Sequence, residues 1–152
     1  MKTSVSRRQA REQAFILAFE KNFTSDSVDE ILEAARLSDD RQPDDFAVTL
    51  VRAMEGKLPE IDCEIQKNIK GWKMGRLSKV SLALLRLSVF QILFVQENRD
   101  AENPVSVVIN DAVRLAKKYS TPEDAAFING VLGTIAKHEK CMKLPDTEDK
   151  EQ

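Results

Sequence analysis

The side chains best suited to chemistry in this sequence are basic, and the first group of them lies at the N-terminus. The first eleven residues contain Lys2, Arg7, Arg8 and Arg11 and no acidic residue. Residues three and four apart are neighbours on a helix, so the three arginines are predicted to share one exposed face. Arginine offers forked, permanently charged donors that suit phosphate oxygens. The charges alone are equally compatible with a phosphate-binding patch and with a solvated helix start.

A second basic region lies between Glu64 and Glu97, where no acidic residue occurs. Trp72 or Met74 offers a face on which a single-stranded base could stack. For Trp72 the favoured alternative is burial beneath the loop, because a large aromatic side chain usually buries most of its area. The cations predicted to extend the basic surface are Lys67, Lys70, Lys73 and Arg76.

Catalytic chemistry has few candidate residues. His138 is the only histidine, so histidine-dependent triads and multi-histidine metal sites are excluded for a single chain. His138 and Cys141 lack a second pair of ligands, and the glycines Gly71 and Gly75 are not followed by the Lys-Ser/Thr of a phosphate loop. The sequence therefore predicts no enzyme, no metal site and no cofactor.

The elements that position these side chains are predicted to be helices. Apolar residues recur at helical spacing, and good helix formers dominate the 152 residues. We expect an all-α protein, a compact bundle of about seven helices, in one domain over residues 1–143 with a charged, disordered tail at 144–152. The predicted helices begin near Ser6, Val28, Pro43, Leu58, Ser78, Pro104 and Thr121.

The fifth predicted helix, Ser78 to Val95, is apolar almost all round, which is typical of a helix buried at the centre of a bundle. Its single charge, Arg86, is predicted to be structural, either at the helix edge or paired with an acid such as Asp111. This apolar run is shorter than a membrane-spanning helix of roughly 20 residues. No apolar segment resembling a signal peptide follows the first basic residues, and the only two cysteines lie far apart. The sequence therefore predicts a cytoplasmic protein without a membrane association or a disulfide framework.

The segment from Pro104 to Gly133 reads as two helices. Thr121 is predicted to cap the second, with the acid three residues later, Asp124, reaching back to the cap. Glycine in a helix interior costs about 1 kcal/mol relative to alanine. Gly130 and Gly133 are therefore predicted to let another helix approach closely, and the alternative is that the helix ends early.

Several separated motifs resemble the NusB family of bacterial transcription antitermination factors: RRQARE, RLSKVSLALLRLSVFQIL, VVINDAVRLAKKYS and FINGVL, in the family's order over nearly the whole chain. The resemblance implies an all-helical protein that binds boxA RNA of nascent ribosomal RNA transcripts together with the ribosomal protein NusE, within the transcription elongation complex. It also implies RNA contact through the N-terminal arginines. The residues predicted to bind RNA are Lys2, Arg7, Arg8, Arg11, Lys70, Lys73 and Arg76.

The resemblance also implies a surface for NusE. Phe19, Glu123 and Asp124 fall where the family contacts that partner, and Ser81 stands where the family commonly has an acid. The alternative is that Phe19 belongs to the core and that the acids only cap a helix.

Two other functions and a possible homodimer stay open at the level of sequence. A NusB-like helical domain also precedes some ribosomal RNA cytosine methyltransferases, although this sequence contains no strand-rich cofactor domain. A protein-interaction scaffold without RNA binding is favoured if the two basic regions lie on opposite faces. A homodimer through the apolar helices would cover the arginine patch.

Overall fold

A computed structural model describes residues 6–39, 43–69, 71, 73–95 and 104–151 of the chain. Within these ranges the backbone is helical and contains no β-strand, which confirms the predicted all-α class. None of the helices described is both long and apolar enough to cross a membrane. The α-helices are α1 (Arg7–Lys21), α2 (Val28–Asp39), α3 (Asp45–Glu55), α4 (Leu58–Lys67), α5 (Lys79–Phe90), α6 (Val105–Tyr119) and α7 (Pro122–Glu151).

Side-chain caps set several of the helix starts. The hydroxyl of Ser6 accepts a hydrogen bond from the backbone N–H of Gln9 at 3.1 Å, and the Gln9 side chain accepts one from the Ser6 N–H at 3.1 Å. This reciprocal capping box satisfies two backbone donors at the start of α1. Asp44 caps α3 and Ser78 caps α5, each through a side-chain oxygen that accepts a hydrogen bond from one backbone N–H. These starts lie within two residues of the predicted ones.

Helix α5 lies at the centre of the bundle and packs against α1, α3, α4, α6 and α7, as its apolar composition predicts. Arg86 emerges at its edge, where Nε and Nη2 donate to the two carboxylate oxygens of Asp62, each at 2.9 Å. Its Nη1 also donates to Asn22 at 3.0 Å. The structural role of Arg86 is confirmed, but the suggested pairing with Asp111 is wrong, because α4 rather than α6 faces this side of α5.

Helices α1 and α5 run antiparallel. Asn22, just after α1, donates to the backbone carbonyl of Lys79 at the start of α5 at 3.0 Å. Arg11, near the start of α1, donates from Nε to Gln91 at the end of α5 at 3.4 Å. Beyond Phe90 the chain continues as a π-helical turn, Gln91–Val95. The α6 and α7 helices form a hairpin, and both of them pack against α5.

Helix α7 differs from its prediction at its two interior glycines. A Cβ placed at Gly130 or Gly133 would meet no neighbouring atom within 4 Å, and both residues are exposed. The predicted close helix approach is therefore wrong, because these glycines lie on the solvent face of α7. The helix does not end early at these glycines but continues to Glu151. The domain boundary at residue 143 and the disordered tail at 144–152 stay predictions.

Candidate nucleic-acid and partner interfaces

Arg11 is buried, with only 4% of its side chain exposed. Its Nη1 donates to Asp111 of α6 at 2.8 Å, while its Nε reaches Gln91. The prediction that Arg11 shares an exposed face with the other arginines is wrong. Its position three and four residues before the buried Ala14 and Phe15 places it on the apolar side of α1. Arg11 therefore joins α1 to α5 and α6.

Arg7 and Arg8 are exposed at the start of α1. The guanidinium carbon of Arg7 lies 3.9 Å from the centroid of the Phe46 ring in α3, a cation–π contact that orients the side chain. Lys2 lies outside the described residues. Two of the four predicted N-terminal cations therefore have the exposure that a phosphate contact needs.

A charged cluster joins α1 to the end of α6, and the sequence did not predict it. Glu12 accepts hydrogen bonds from Lys118 Nζ at 2.6 Å and from the Tyr119 hydroxyl at 2.5 Å. Both bonds lower the pKa of the Glu12 carboxyl, and the bond from Lys118 contributes most. Arg114 lies nearby, with Nε 3.6 Å from Asp111 and Nη1 4.0 Å from Glu12. The sequence signal was the run Lys-Lys-Tyr in the last turn of a helix.

At the opposite end of α5, Asp124 links two helix starts. Its carboxylate accepts hydrogen bonds from the hydroxyls of Ser78, at 3.1 Å, and Ser120. Its backbone N–H donates to the hydroxyl of Thr121 at 3.0 Å, which confirms the predicted cap of α7. The carboxylate does not reach back to the cap backbone as predicted, because the hydroxyls of Ser78 and Ser120 hold it in a different direction.

Next to Asp124 lies a cavity of about 170 Å³. Ser81 forms part of its wall, is 1% exposed, and has a hydroxyl oxygen without a hydrogen-bond partner. Three of the four residues predicted to contact a partner thus lie together: Ser81, Glu123 and Asp124. The remaining residues that line the cavity are Arg76, Leu77, Ser78 and Phe127.

Phe19, the fourth residue of the predicted partner surface, is half-buried and packs against the core. Its ring centroid lies 6.0 Å from that of Phe15 and 5.0 Å from that of Phe23. Phe23 is 62% exposed, and Lys79 Nζ lies 5.7 Å from its centroid. Phe19 therefore connects the core to an exposed aromatic beside the start of α5.

The second basic region does not extend the first along the α1–α5 pair. Lys73 and Arg76 are exposed just before α5, whereas Arg7 and Arg8 lie at the end of α1 that faces the other end of α5. The distance from Ser78 to Gln91 is about 20 Å at about 1.5 Å per residue. The predicted single surface is thus replaced by two basic areas, because the helices are antiparallel.

Four further residues belong to the second basic region. Lys67 forms an ion pair with Glu64 at 3.6 Å, and Met74 packs against the core rather than offering a free face. Lys70 and Trp72 lie outside the described residues, so both alternatives for Trp72 stay predictions. Among the residues that are described, no three His, Cys, Asp or Glu side chains could hold a metal ion together.

A helical bundle whose distinctive side chains are exposed cations, half-buried aromatics and a polar cavity has the architecture of a binding protein. The model of the NusB family matches residues 8–137, so the chain belongs to the NusB family. It is a family of RNA-binding transcription antitermination factors, and no enzyme family is indicated.

Individual relatives agree with this assignment. The chain is 35% identical over 137 residues to the transcription antitermination protein NusB of Clostridium novyi, covering 88% of this chain and 99% of that protein. It is 39% identical over 136 residues to NusB of Listeria monocytogenes serotype 4b, covering 90% and 100%. A crystal structure of the antitermination factors NusB and NusE in complex with double-stranded RNA superimposes with a TM-score of 0.73 and 28% identity, covering 87% of this chain and 96% of that one.

Proposed function

We propose that this protein binds boxA RNA in nascent ribosomal RNA transcripts together with NusE, and thereby helps RNA polymerase to resist termination. The observation that carries the proposal is the likeness, at a TM-score of 0.73, to a NusB that is bound to both NusE and RNA. The protein acts by binding, within the transcription elongation complex and in the cytoplasm, without turnover.

The two ends of the α1–α5 pair have different roles in this proposal. Arg7 and Arg8 contact RNA phosphates, because both are exposed and permanently charged. Arg11 contributes indirectly, since its buried bond to Asp111 fixes the direction of α1. Phosphate contacts carry no sequence information, so the preference for boxA depends on additional contacts with bases.

NusE binds at the other end, on the surface formed by Phe19, Ser81, Glu123 and Asp124. The cavity beside Ser81 and the exposed ring of Phe23 give this surface a recess and an apolar edge. Lys73 and Arg76 border the same surface, so in this proposal they contact RNA only where the RNA passes close to NusE. The charge complement is favourable, because the acids Glu123 and Asp124 suit a basic ribosomal protein.

The proposal is tested by measuring the affinity of the protein for boxA RNA and for a scrambled RNA, with and without NusE, over a series of salt concentrations. We expect a preference for boxA that increases when NusE is present, and an affinity that falls as salt rises. Binding that ignores sequence even with NusE would contradict the antitermination role. Binding of NusE without any RNA binding would instead indicate a protein-interaction scaffold.

The role of the arginine end is tested with Arg8→Glu, and with Lys137→Glu as a control that changes the charge equally at an exposed site of α7. We expect Arg8→Glu to weaken binding to all RNAs and to reduce the slope of log affinity against log salt by about 1. The control should have a clearly smaller effect. Equal effects of the two variants would show that only the net charge matters.

A further inference from the structure

Tyr119 presents a half-exposed aromatic ring at the end of α6. It is 40% exposed, although large hydrophobic side chains elsewhere in the described bundle are mostly buried. One side of its ring packs against Phe15, with 5.2 Å between the ring centroids and 42° between the planes. Part of the ring remains open to solvent, so Tyr119 offers a partly exposed aromatic surface supported from behind by the core.

The ring is also held in place by its hydroxyl, which donates to Glu12 at 2.5 Å. This bond raises the pKa of the Tyr119 hydroxyl above its ordinary value, so the group stays a protonated donor across the neutral range. A side chain that is already ordered loses little conformational entropy when a ligand binds. The position of the ring is thus set before any ligand arrives.

The charges around Tyr119 are mainly positive. Lys118 Nζ lies 5.2 Å from the centroid of the ring, and Lys117 is exposed beside it. Arg8 lies one helical turn before Glu12, on the same face of α1. Arg114 adds a further cation, with its Nη1 4.0 Å from Glu12. An aromatic face among cations is the combination that binds a base and its flanking phosphates.

We propose that Tyr119 is a stacking platform for one unpaired base of single-stranded RNA, with Lys118 and Arg8 binding the phosphates on either side. This inference rests on the proposed RNA-binding function and adds a base contact that the arginines do not provide. A protein partner fits less well, because charged residues are depleted at the centre of protein interfaces. Tyr119 also directly precedes Ser120, which contacts Asp124, so the base would lie between the arginine end and the proposed NusE surface.

The test compares wild type with Tyr119→Phe, Tyr119→Leu and Tyr119→Ala in the presence of NusE, using fluorescently labelled single-stranded boxA RNA. Stacking is lost in the alanine and leucine variants, so their affinity should fall roughly 5- to 150-fold. The phenylalanine variant keeps the ring and should stay within about twofold of wild type. The salt slope should be the same in all four proteins, because no charge is removed. Thermal unfolding followed by circular dichroism checks that each variant is folded.

The outcomes separate this inference from the proposed function. If wild type binds boxA RNA and the alanine and leucine variants bind equally well, the stacking platform is wrong while the RNA-binding function stands. An equal loss in the phenylalanine variant would show that the hydroxyl rather than the ring is needed, which also overturns it. So would a loss of NusE affinity measured without RNA, which would make Tyr119 a protein contact. Failure of wild type to bind RNA contradicts both proposals.

Discussion

The two ends of the α1–α5 pair differ in whether their buried polar side chains have hydrogen-bond partners. At the arginine end, Arg11 is paired with Asp111 and bonded to Gln91. At the other end, the buried hydroxyl of Ser81 has no hydrogen-bond partner and faces a cavity. A satisfied buried pair holds helices in register, whereas an unsatisfied group costs stability and remains available to a ligand. Arg11 and Asp111 therefore stabilise the packing of the helices, whereas the Ser81 hydroxyl is available to bind a partner.

The largest effect is expected when the buried Arg11–Asp111 pair is broken. Asp111→Ala leaves the Arg11 guanidinium buried without its counter-charge, so the free energy of unfolding should fall by about 3–5 kcal/mol. The matched control is Asp29→Ala, which removes an acid from the exposed pair with Arg52 and should cost about 1 kcal/mol or less. Urea unfolding of both variants measures the difference. Similar losses of unfolding free energy in the two variants would mean that the Arg11–Asp111 pair does not hold the helices together.

A smaller change in stability, of opposite sign, is expected when the unpaired hydroxyl of Ser81 is removed. Ser81→Ala removes a buried hydroxyl without a partner, so the free energy of unfolding should rise by about 1 kcal/mol. Ser78→Ala, three residues earlier, removes the cap of α5 and should lower it by about 1 kcal/mol. Affinity for NusE should fall in Ser81→Ala despite its higher stability. A loss of stability in Ser81→Ala would show that its hydroxyl is satisfied in solution.

The smallest effect concerns pH and the cluster around Glu12. Because the pKa of Glu12 lies below its ordinary value of 4.5, its ionisation stabilises the fold fully above that value. This contribution is lost as pH falls through the lower, folded-state pKa. The stability advantage of wild type over Glu12→Gln should therefore be greatest near neutral pH and shrink below about pH 4.5, as measured by urea unfolding. Parallel stability curves would contradict the role of Lys118 and Tyr119 in holding this carboxylate.

The helices and their starts could be predicted from sequence because both depend on neighbours in the chain. Ser6, Asp44 and Ser78 cap helices where short-range patterns placed them. The partners of the buried charges could not be predicted, since pairing across helices depends on how they pack. The sequence suggests Asp111 as an acid that could pair with Arg86, but in the folded protein Arg86 binds Asp62 and Asp111 binds Arg11.

The candidate sites were predictable to a similar degree. The exposure of Arg7 and Arg8 could be predicted from their charge alone. The proximity of Ser81 and Asp124 could be predicted from the family resemblance. The burial of Arg11 had a usable signal, because position 11 falls at helical spacing from Ala14 and Ala18 in the apolar stripe. Tyr119 had no such signal, since its exposure depends on where α6 ends against α1.

The π-helical turn Gln91–Val95 has a consequence for how the molecule opens. The Gln91 side chain donates to the Leu87 carbonyl at 3.2 Å and accepts from Arg11 at 3.4 Å, so it bonds to two helices at once. Unwinding this turn would therefore also break the hydrogen bond between Gln91 and Arg11 of α1. In hydrogen exchange, the amides near Arg11 and those near Gln91 should lose protection together, as one cooperative unit that includes both the arginine-bearing helix and the end of the central one.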